Sequence, residues 1–179
     1  FLEGSFEKIS LKNKSVNRVI STLSLHWASS IDKGLKELKR ILKPKGSIDI
    51  LMIEKNDGKE FKKLVLRVMK KYLSNKQIFN AANLINRITK KELTKKFAKC
   101  FNLKNDYDLS IKIKKKRIYG TCNEHLKWWK ARSFQIISEI ENKKLFIKNL
   151  KEELNKFKTK KGIQFDLNLL EIHLFKKIN

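Results

Sequence analysis

The sequence predicts an α/β fold built on an open sheet. Three observations predict it. Residues Arg18 to Glu54 read in order as strand, polar turn, amphipathic helix, Pro/Gly stop and second apolar strand, which is one βαβ unit. Beyond it, helical patterns opened by capping boxes alternate with strand-like runs. Two long strand-like segments, Tyr107 to Tyr119 and Ile163 to Phe175, flank a largely helical stretch near the end of the chain. Ligands of such sheets sit at the carboxyl ends of the strands, so Ser21 to Trp27, STLSLHW, occupies the most informative position.

Each element has its own justification. Gly4 to Leu11 suits a short strand and loop, followed by a turn at Lys12 to Ser15. Val16 to Leu23 is a β-branched run, apolar on both faces as an interior parallel strand would be. Ser29 and Ser30 are N-cap candidates, and Asp32 suits the positive end of the helix dipole. Leu35, Leu38, Ile41 and Leu42 recur at helical spacing as a buried stripe, while Lys33, Lys36, Lys39 and Arg40 face water. Pro44 and Gly46 should end that helix, and Ser47 to Glu54 forms the next buried strand.

Gly58 to Leu73 is a second amphipathic helix, with Phe61, Leu64, Val65, Val68 and Met69 inward. Thr89 with Glu92 makes a capping box for a helix to about Cys100, and Thr121 with Glu124 makes another before Trp128 and Trp129. These two tryptophans point about 100° apart, so one is core and the other surface or substrate-facing. Leu109, Ile111 and Ile113 alternate with polar residues as a strand with one wet face. Ile136 to about Phe157 is largely helical. In the last strand Phe165, Leu167 and Leu169 fill one phase and Leu170, Ile172 and Leu174 the other, which implies burial on both faces or a bulge.

Composition narrows the function classes. With 41% hydrophobic and 34% charged residues among 179, the chain reads as folded rather than disordered. It opens on Phe1 with strand-like sequence close behind, so it reads as beginning inside a longer protein. No apolar run approaches the roughly 18 residues of a membrane helix, so no membrane is implied. Cys100 and Cys122 are few and unpatterned, as expected of reduced thiols in a cytoplasmic protein. Cys122 with His125 has a C-x-x-H spacing, but two potential ligands do not make a metal site.

A net charge of +25 attracts polyanions. Lysine is dispersed along nearly every segment, however, in the style of an AT-rich coding sequence. An acidic protein partner ranks next. Nucleic acid ranks last, because the basic run Lys112 to Arg117 lacks interleaved aromatics for base stacking and reads as a guarded strand edge.

The strand running into Ser21-x-Leu23-x-x-x-Trp27, and a following helix that ends Leu42-Lys43-Pro44-Lys45-Gly46, resemble the fourth-strand signature of class I S-adenosylmethionine (SAM) methyltransferases. The closing strand pair resembles the sixth and seventh strands of that fold, the seventh inserted beside the fifth. With Asn123 to Phe157 as the insertion between them, the chain is most similar to malonyl-acyl-carrier-protein O-methyltransferases of biotin synthesis and their relatives. The resemblance spans residues 1–179 as the C-terminal part of one domain. The six glycines (Gly4, Gly34, Gly46, Gly58, Gly120, Gly162) form no G-x-G, so the glycine loop of the N-terminal half is not in this sequence.

That resemblance implies S-adenosyl-L-methionine as cofactor. Ser21, Thr22 and Leu23 would line its methionine side, and His26 and Trp27 would wall the pocket near the transferred methyl. Ser5 stands where the family has an adenine-binding Asp, with Phe6 able to pack on adenine. Asn17 replaces the family's usual Asp, and Lys45 its first Gly of "PGG". The implied substrate is a small carboxylate, carried on an acidic acyl carrier protein, that a cationic side chain would hold; Arg87, Arg117 and Arg132 are candidates. No residue is expected to be catalytic, because a carboxylate is already ionised and alignment with desolvation supplies the rate. Three readings stay open: the methyltransferase, a binding or assembly factor on the same fold, and a basic RNA-binding or RNA-modifying protein. His26 also suits a hydrogen-bonded structural role, and Trp27 a core aromatic. The 179 residues alone are expected to bind SAM weakly or not at all, and to self-associate through an unpaired first strand.

Overall fold

The structure, a computed structural model, describes residues 3–82 and 86–177, apart from the side chain of Arg132. The chain divides into two compact units: residues 3–57, 86–114 and 168–177 in the first, and residues 58–82 and 115–167 in the second.

The first unit is built on β1 (Val16–Thr22), α1 (Ile31–Ile41) and β2 (Leu42–Ile53), the expected βαβ order. β1 runs parallel to β2, with Val19 opposite Ile48 and Thr22 opposite Leu51. Ser30 caps α1 by accepting a hydrogen bond from the Lys33 amide at 3.3 Å. Asp32 stands in the first turn and Lys39 and Arg40 in the last, matching the helix dipole at both ends.

The Pro/Gly stop works differently from expectation. The helix already ends at Ile41, and Leu42 starts β2. Residues 43–46 bulge outward, so that only Asn17 lies opposite them between the pairs Val16–Leu42 and Arg18–Ser47. Gly46 is required there: a Cβ would lie 2.8 Å from the Asn17 carbonyl oxygen and 2.6 Å from Leu42 Cδ1. Arg40 also departs from its expected place in water. It is half-buried, donating to the carbonyls of Ile9 and Leu11, to Asn13 Oδ1 and to Glu37.

α4 (Lys90–Cys100) follows with the complete Thr89/Glu92 capping box. The opening part of β3 (Tyr107–Gly120) and the closing part of β5 (Gly162–Lys176) complete the sheet, whose order is β1-β2-β5-β3. β5 lies antiparallel to β2, from Ile48 opposite Leu174 to Ile53 opposite Leu169. That is the predicted place of the terminal strand beside Ser47 to Glu54.

Ile48, Ile50, Met52, Leu170, Ile172 and Leu174 fill one sheet face and share a core with Leu35, Leu38, Ile41, Leu93 and Phe97. Each such aliphatic side chain contributes about 1.5–3 kcal/mol. The opposite face carries a polar row. Arg18 Nε lies 2.7 Å from Asp49 Oδ2, His173 Nδ1 lies 2.6 Å from Asp49 Oδ1, and Lys114 Nζ lies 3.2 Å from Glu171. Burial pushes the Asp49 carboxyl up, but the hydrogen bonds from His173 and Arg18 outweigh it and hold the pKa below its ordinary value. β1 stands at the edge of the described sheet, as expected of a first strand left unpaired in this chain, and its Ile20 is 66% exposed on that face.

The second unit is mainly helical. It holds α2 (Lys59–Met69), α3 (Asn75–Ala82), α5 (Cys122–Arg132), α6 (Phe134–Ser138) and α7 (Lys143–Asn155), with the two-residue strand β4 (Lys158–Thr159) paired to the start of β5. Phe61, Val68, Trp129, Phe146, Leu150 and Phe165 belong to its core. Phe146 meets Tyr72 edge-on at 5.3 Å between ring centroids, and Phe165 meets Phe61 at 5.6 Å and Trp128 at 5.0 Å. Gly58 opens α2 at φ +56°, where a Cβ would strike the Phe165 ring. The predicted helix over residues 136–157 is two helices, with Asn142 capping the second through the Leu145 amide at 3.0 Å.

The phase change in β5 has a simple origin. Ile163 and Phe165 are buried in the core of the second unit, while Leu170, Ile172 and Leu174 are buried in that of the first.

Candidate functional site at the carboxyl ends of β1 and β2

β1 ends in a turn that its sequence makes tight. Leu23 adopts φ +52°, a left-handed conformation costing a non-glycine residue about 1–3 kcal/mol, and its amide donates to the Leu51 carbonyl at 2.7 Å. Leu25 to Trp27 then form a single 3-10 turn, whose Leu25 is fully buried.

Ser21 belongs to the buried side of β1, with its Oγ 2.9 Å from Ser24 Oγ. Thr22 and Leu23 are exposed at the rim. His26 is buried, whereas Trp27 keeps 46% of its surface open and so does not fill the core; their ring centroids lie 5.6 Å apart.

A second segment crosses this rim. The Asn86 amide donates to the His26 carbonyl at 2.8 Å, and Asn86 Nδ2 donates to the Ala28 carbonyl. Ile88 bridges Glu54 in parallel, and its carbonyl accepts from the Lys55 amide at 3.1 Å. Residues 86–88 therefore tie the turn after β1 to the end of β2.

Two buried carboxylates lie at the end of β2. Glu54 accepts from the Asn56 amide at 2.6 Å, and Asp57 accepts from the Asn168 amide at 2.9 Å. Arg87 keeps an exposed surface, yet its guanidinium is crowded enough that desolvation lowers its pKa, an effect that the Asp57 charge opposes. Sequence reading missed Glu54, Asp57 and Asn86. The run Glu54-Lys55-Asn56-Asp57 directly after an apolar strand was the available signal for the two acids; Asn86 carried none.

The other sequence-chosen residues lie elsewhere. Ser5 bridges Lys8 in a tight turn rather than the expected short strand. Phe6 is half-buried against the core of the first unit, beside Gly34. Between them and α1, Glu7 accepts from the Ser30 amide at 3.0 Å and from Ser29 Oγ at 2.8 Å, bonds that hold its carboxyl at about 2. Arg117 belongs to the second unit and is engaged by Asp166 at 3.0 Å. Arg132 ends α5, and its side chain lies outside the described residues. The structure thus brings Ser21, Thr22, Leu23, His26, Trp27 and Arg87 together in the first unit and leaves Arg117 in the second.

Among the described residues no group of three or more His, Cys, Asp or Glu could hold a metal, and no helix is long and apolar enough to cross a membrane. His125 is committed to the Ile163 carbonyl at 2.8 Å, and both cysteines are free thiols.

Exposed Thr22 and Leu23, with the open face of Trp27, offer one wall for a ligand with polar and apolar parts. The glycine-loop amides of a SAM cradle are not among these residues.

Comparisons agree with the architecture. Residues 1–50, which hold β1 and its turn, match the family model described as a methyltransferase domain. An inferred methyltransferase of Bacillus halodurans superposes with a TM-score of 0.57 at 12% identity, over 99% of this chain and 78% of that one. The YcgJ protein of Bacillus subtilis gives 0.57 at 16% identity, over 100% and 71%. The [4+2]-cyclase SpnF gives 0.50 at 9% identity, over 98% and 56%. Among curated proteins, none matches this chain in sequence. The fold is the Rossmann-like fold of class I methyltransferases.

Proposed function

We propose that the chain forms the C-terminal part of a SAM-dependent methyltransferase domain, with Asn123 to Phe157 as its helical insertion. The observation that carries this reading is the rim at the carboxyl ends of β1 and β2. The turn of Ser21 to Trp27 is held there by residues 86–88, in the position where open α/β sheets take their ligands. Strain at Leu23 supports it, because backbone strain concentrates at functional sites. The 50 matched residues include this turn.

SAM, when bound, supplies an activated methyl group. Thr22 and Leu23 line its methionine side, with Ser21 supporting the turn from beneath, and Trp27 with His26 walls off water near the reacting centre. Ser5 and Phe6 belong to the adenine end of the reading, although Phe6 packs largely inward. The methyl acceptor is a small carboxylate of the malonyl type, carried on an acidic acyl carrier protein that the +25 charge attracts. Arg87 is the preferred anchor for that carboxylate, since Arg117 is already paired.

The test is transfer of labelled methyl from SAM to malonyl-acyl carrier protein by the protein expressed from its complete reading frame. Ester formation that falls with Arg87→Ala supports the whole reading. SAM binding without ester refutes the substrate and leaves the cofactor. No SAM binding refutes both, and favours a binding or assembly factor on the same fold.

A further inference from the structure

The second unit contains a groove of about 680 Å³ that the methyltransferase reading does not use. It lies where the hairpin of β4 and β5 passes the first turn of α5 and the side of α7. Four lysines line it: Lys151 from α7, and Lys158, Lys160 and Lys161 from the hairpin. The single acidic residue of its lining, Glu124, is consumed by the α5 cap, accepting from the Thr121 amide at 2.7 Å and from Thr121 Oγ1 at 2.8 Å.

Local geometry holds these groups together. Gly162 sits at φ +106° so close to Gly120 that a Cβ would lie 2.7 Å from the Gly120 carbonyl oxygen, which brings the lysine hairpin against the entry to α5. Thr159 Oγ1 donates to the Gly162 carbonyl at 2.8 Å and accepts from the Lys161 amide at 3.2 Å, fixing the hairpin tip. His125 clamps α5 to β5 through the Ile163 carbonyl. Lys161 Nζ stands 5.9 Å over the exposed ring of Tyr119, which orients one ammonium at the groove wall.

We infer that this groove binds the phosphate group of a small phosphorylated ligand. Lysine ammonium groups suit phosphate as point charges, and the volume lies in the range of small-molecule sites. A polynucleotide would need successive aromatic platforms, and Tyr119 is the one aromatic in the lining. The inference stands independently of methyl transfer.

The experiment titrates the whole chain calorimetrically with inorganic pyrophosphate and with ADP. It compares the unaltered protein with Lys158→Ala/Lys161→Ala and with the charge-matched Lys33→Ala/Lys36→Ala on α1. Loss of the groove pair is expected to weaken pyrophosphate binding roughly tenfold or more, and loss of the α1 pair by less than about twofold. Amide shifts in the unaltered protein should concentrate in Thr121 to Glu124 and Lys158 to Gly162. Tighter binding of ADP would extend the site to a nucleoside over Tyr119, and equal binding would restrict recognition to the phosphates. Equal losses in both variants, shifts scattered over many lysines, or a single-stranded RNA outcompeting ADP at equal phosphate concentration would each overturn the assignment.

Discussion

The two units solve the same packing problem with different means. In the first, a sheet with strict two-residue alternation lays Ile48, Ile50 and Met52 beside Leu174, Ile172 and Leu170, so the core is ordered by strand register. In the second, short helices surround large aromatics, and Phe146, Trp129 and Phe165 set the spacing instead. The difference teaches where specificity lies: backbone pairing fixes the first core, while side-chain shape fixes the second.

Core truncation is the strongest way to probe that contrast. Phe146→Ala in the second unit is expected to cost about 3–5 kcal/mol, and Leu170→Ala in the first about 2–5 kcal/mol, both read from denaturant midpoints. A Phe146→Leu substitution should recover most of the stability only if the site can collapse; full recovery would show that ring shape does not set the spacing of this core.

Glycine positions come next. Gly46→Ala in the first unit and Gly162→Ala in the second each place a methyl against backbone, and each should cost about 1–3 kcal/mol. Gly34→Ala is the control, since its Cβ meets only ordinary or slightly tight contacts.

The two capping boxes form a matched pair across the units. Thr89→Ala and Thr121→Ala should each lose about 1 kcal/mol in thermal melts. A much larger loss at Thr121 would reveal a contribution beyond capping.

The smallest expected effect is on acid stability, and it belongs to the first unit. Hydrogen bonds from Ser30 and Ser29 hold Glu7 at about 2, and the Arg40 side chain with the Ile9 amide does the same for Glu37. As pH falls through about 4.5 the unfolded chain takes up these protons first, so stability present above that value is lost progressively towards pH 2. Melting temperatures between pH 5 and 2 should fall less steeply for Glu7→Gln than for the unaltered protein.

Legibility in the sequence followed the same division. β1, α1, the end of β2, both capping boxes and the strand beside β2 were readable because alternation, helical spacing and cap residues are local signals. The helix α3, the break between α6 and α7, and β4 were not, since nothing local marks them and packing around Phe146 and the Gly120–Gly162 approach decides them. At the site, the strand-end turn was legible from STLSLHW. The left-handed Leu23, the inward Phe6 and the clasp by Asn86 arise from tertiary contacts, and a one-dimensional pattern does not encode them directly.

The central claim is that the rim after β1 is the cofactor wall. Hydrogen exchange of the protein expressed from its complete reading frame, with and without S-adenosylhomocysteine, tests it most directly. The account predicts ligand-dependent protection in Ser21 to Ala28 and in Asn86 to Ile88. Binding that leaves those amides unchanged while protecting other segments of this chain would contradict it.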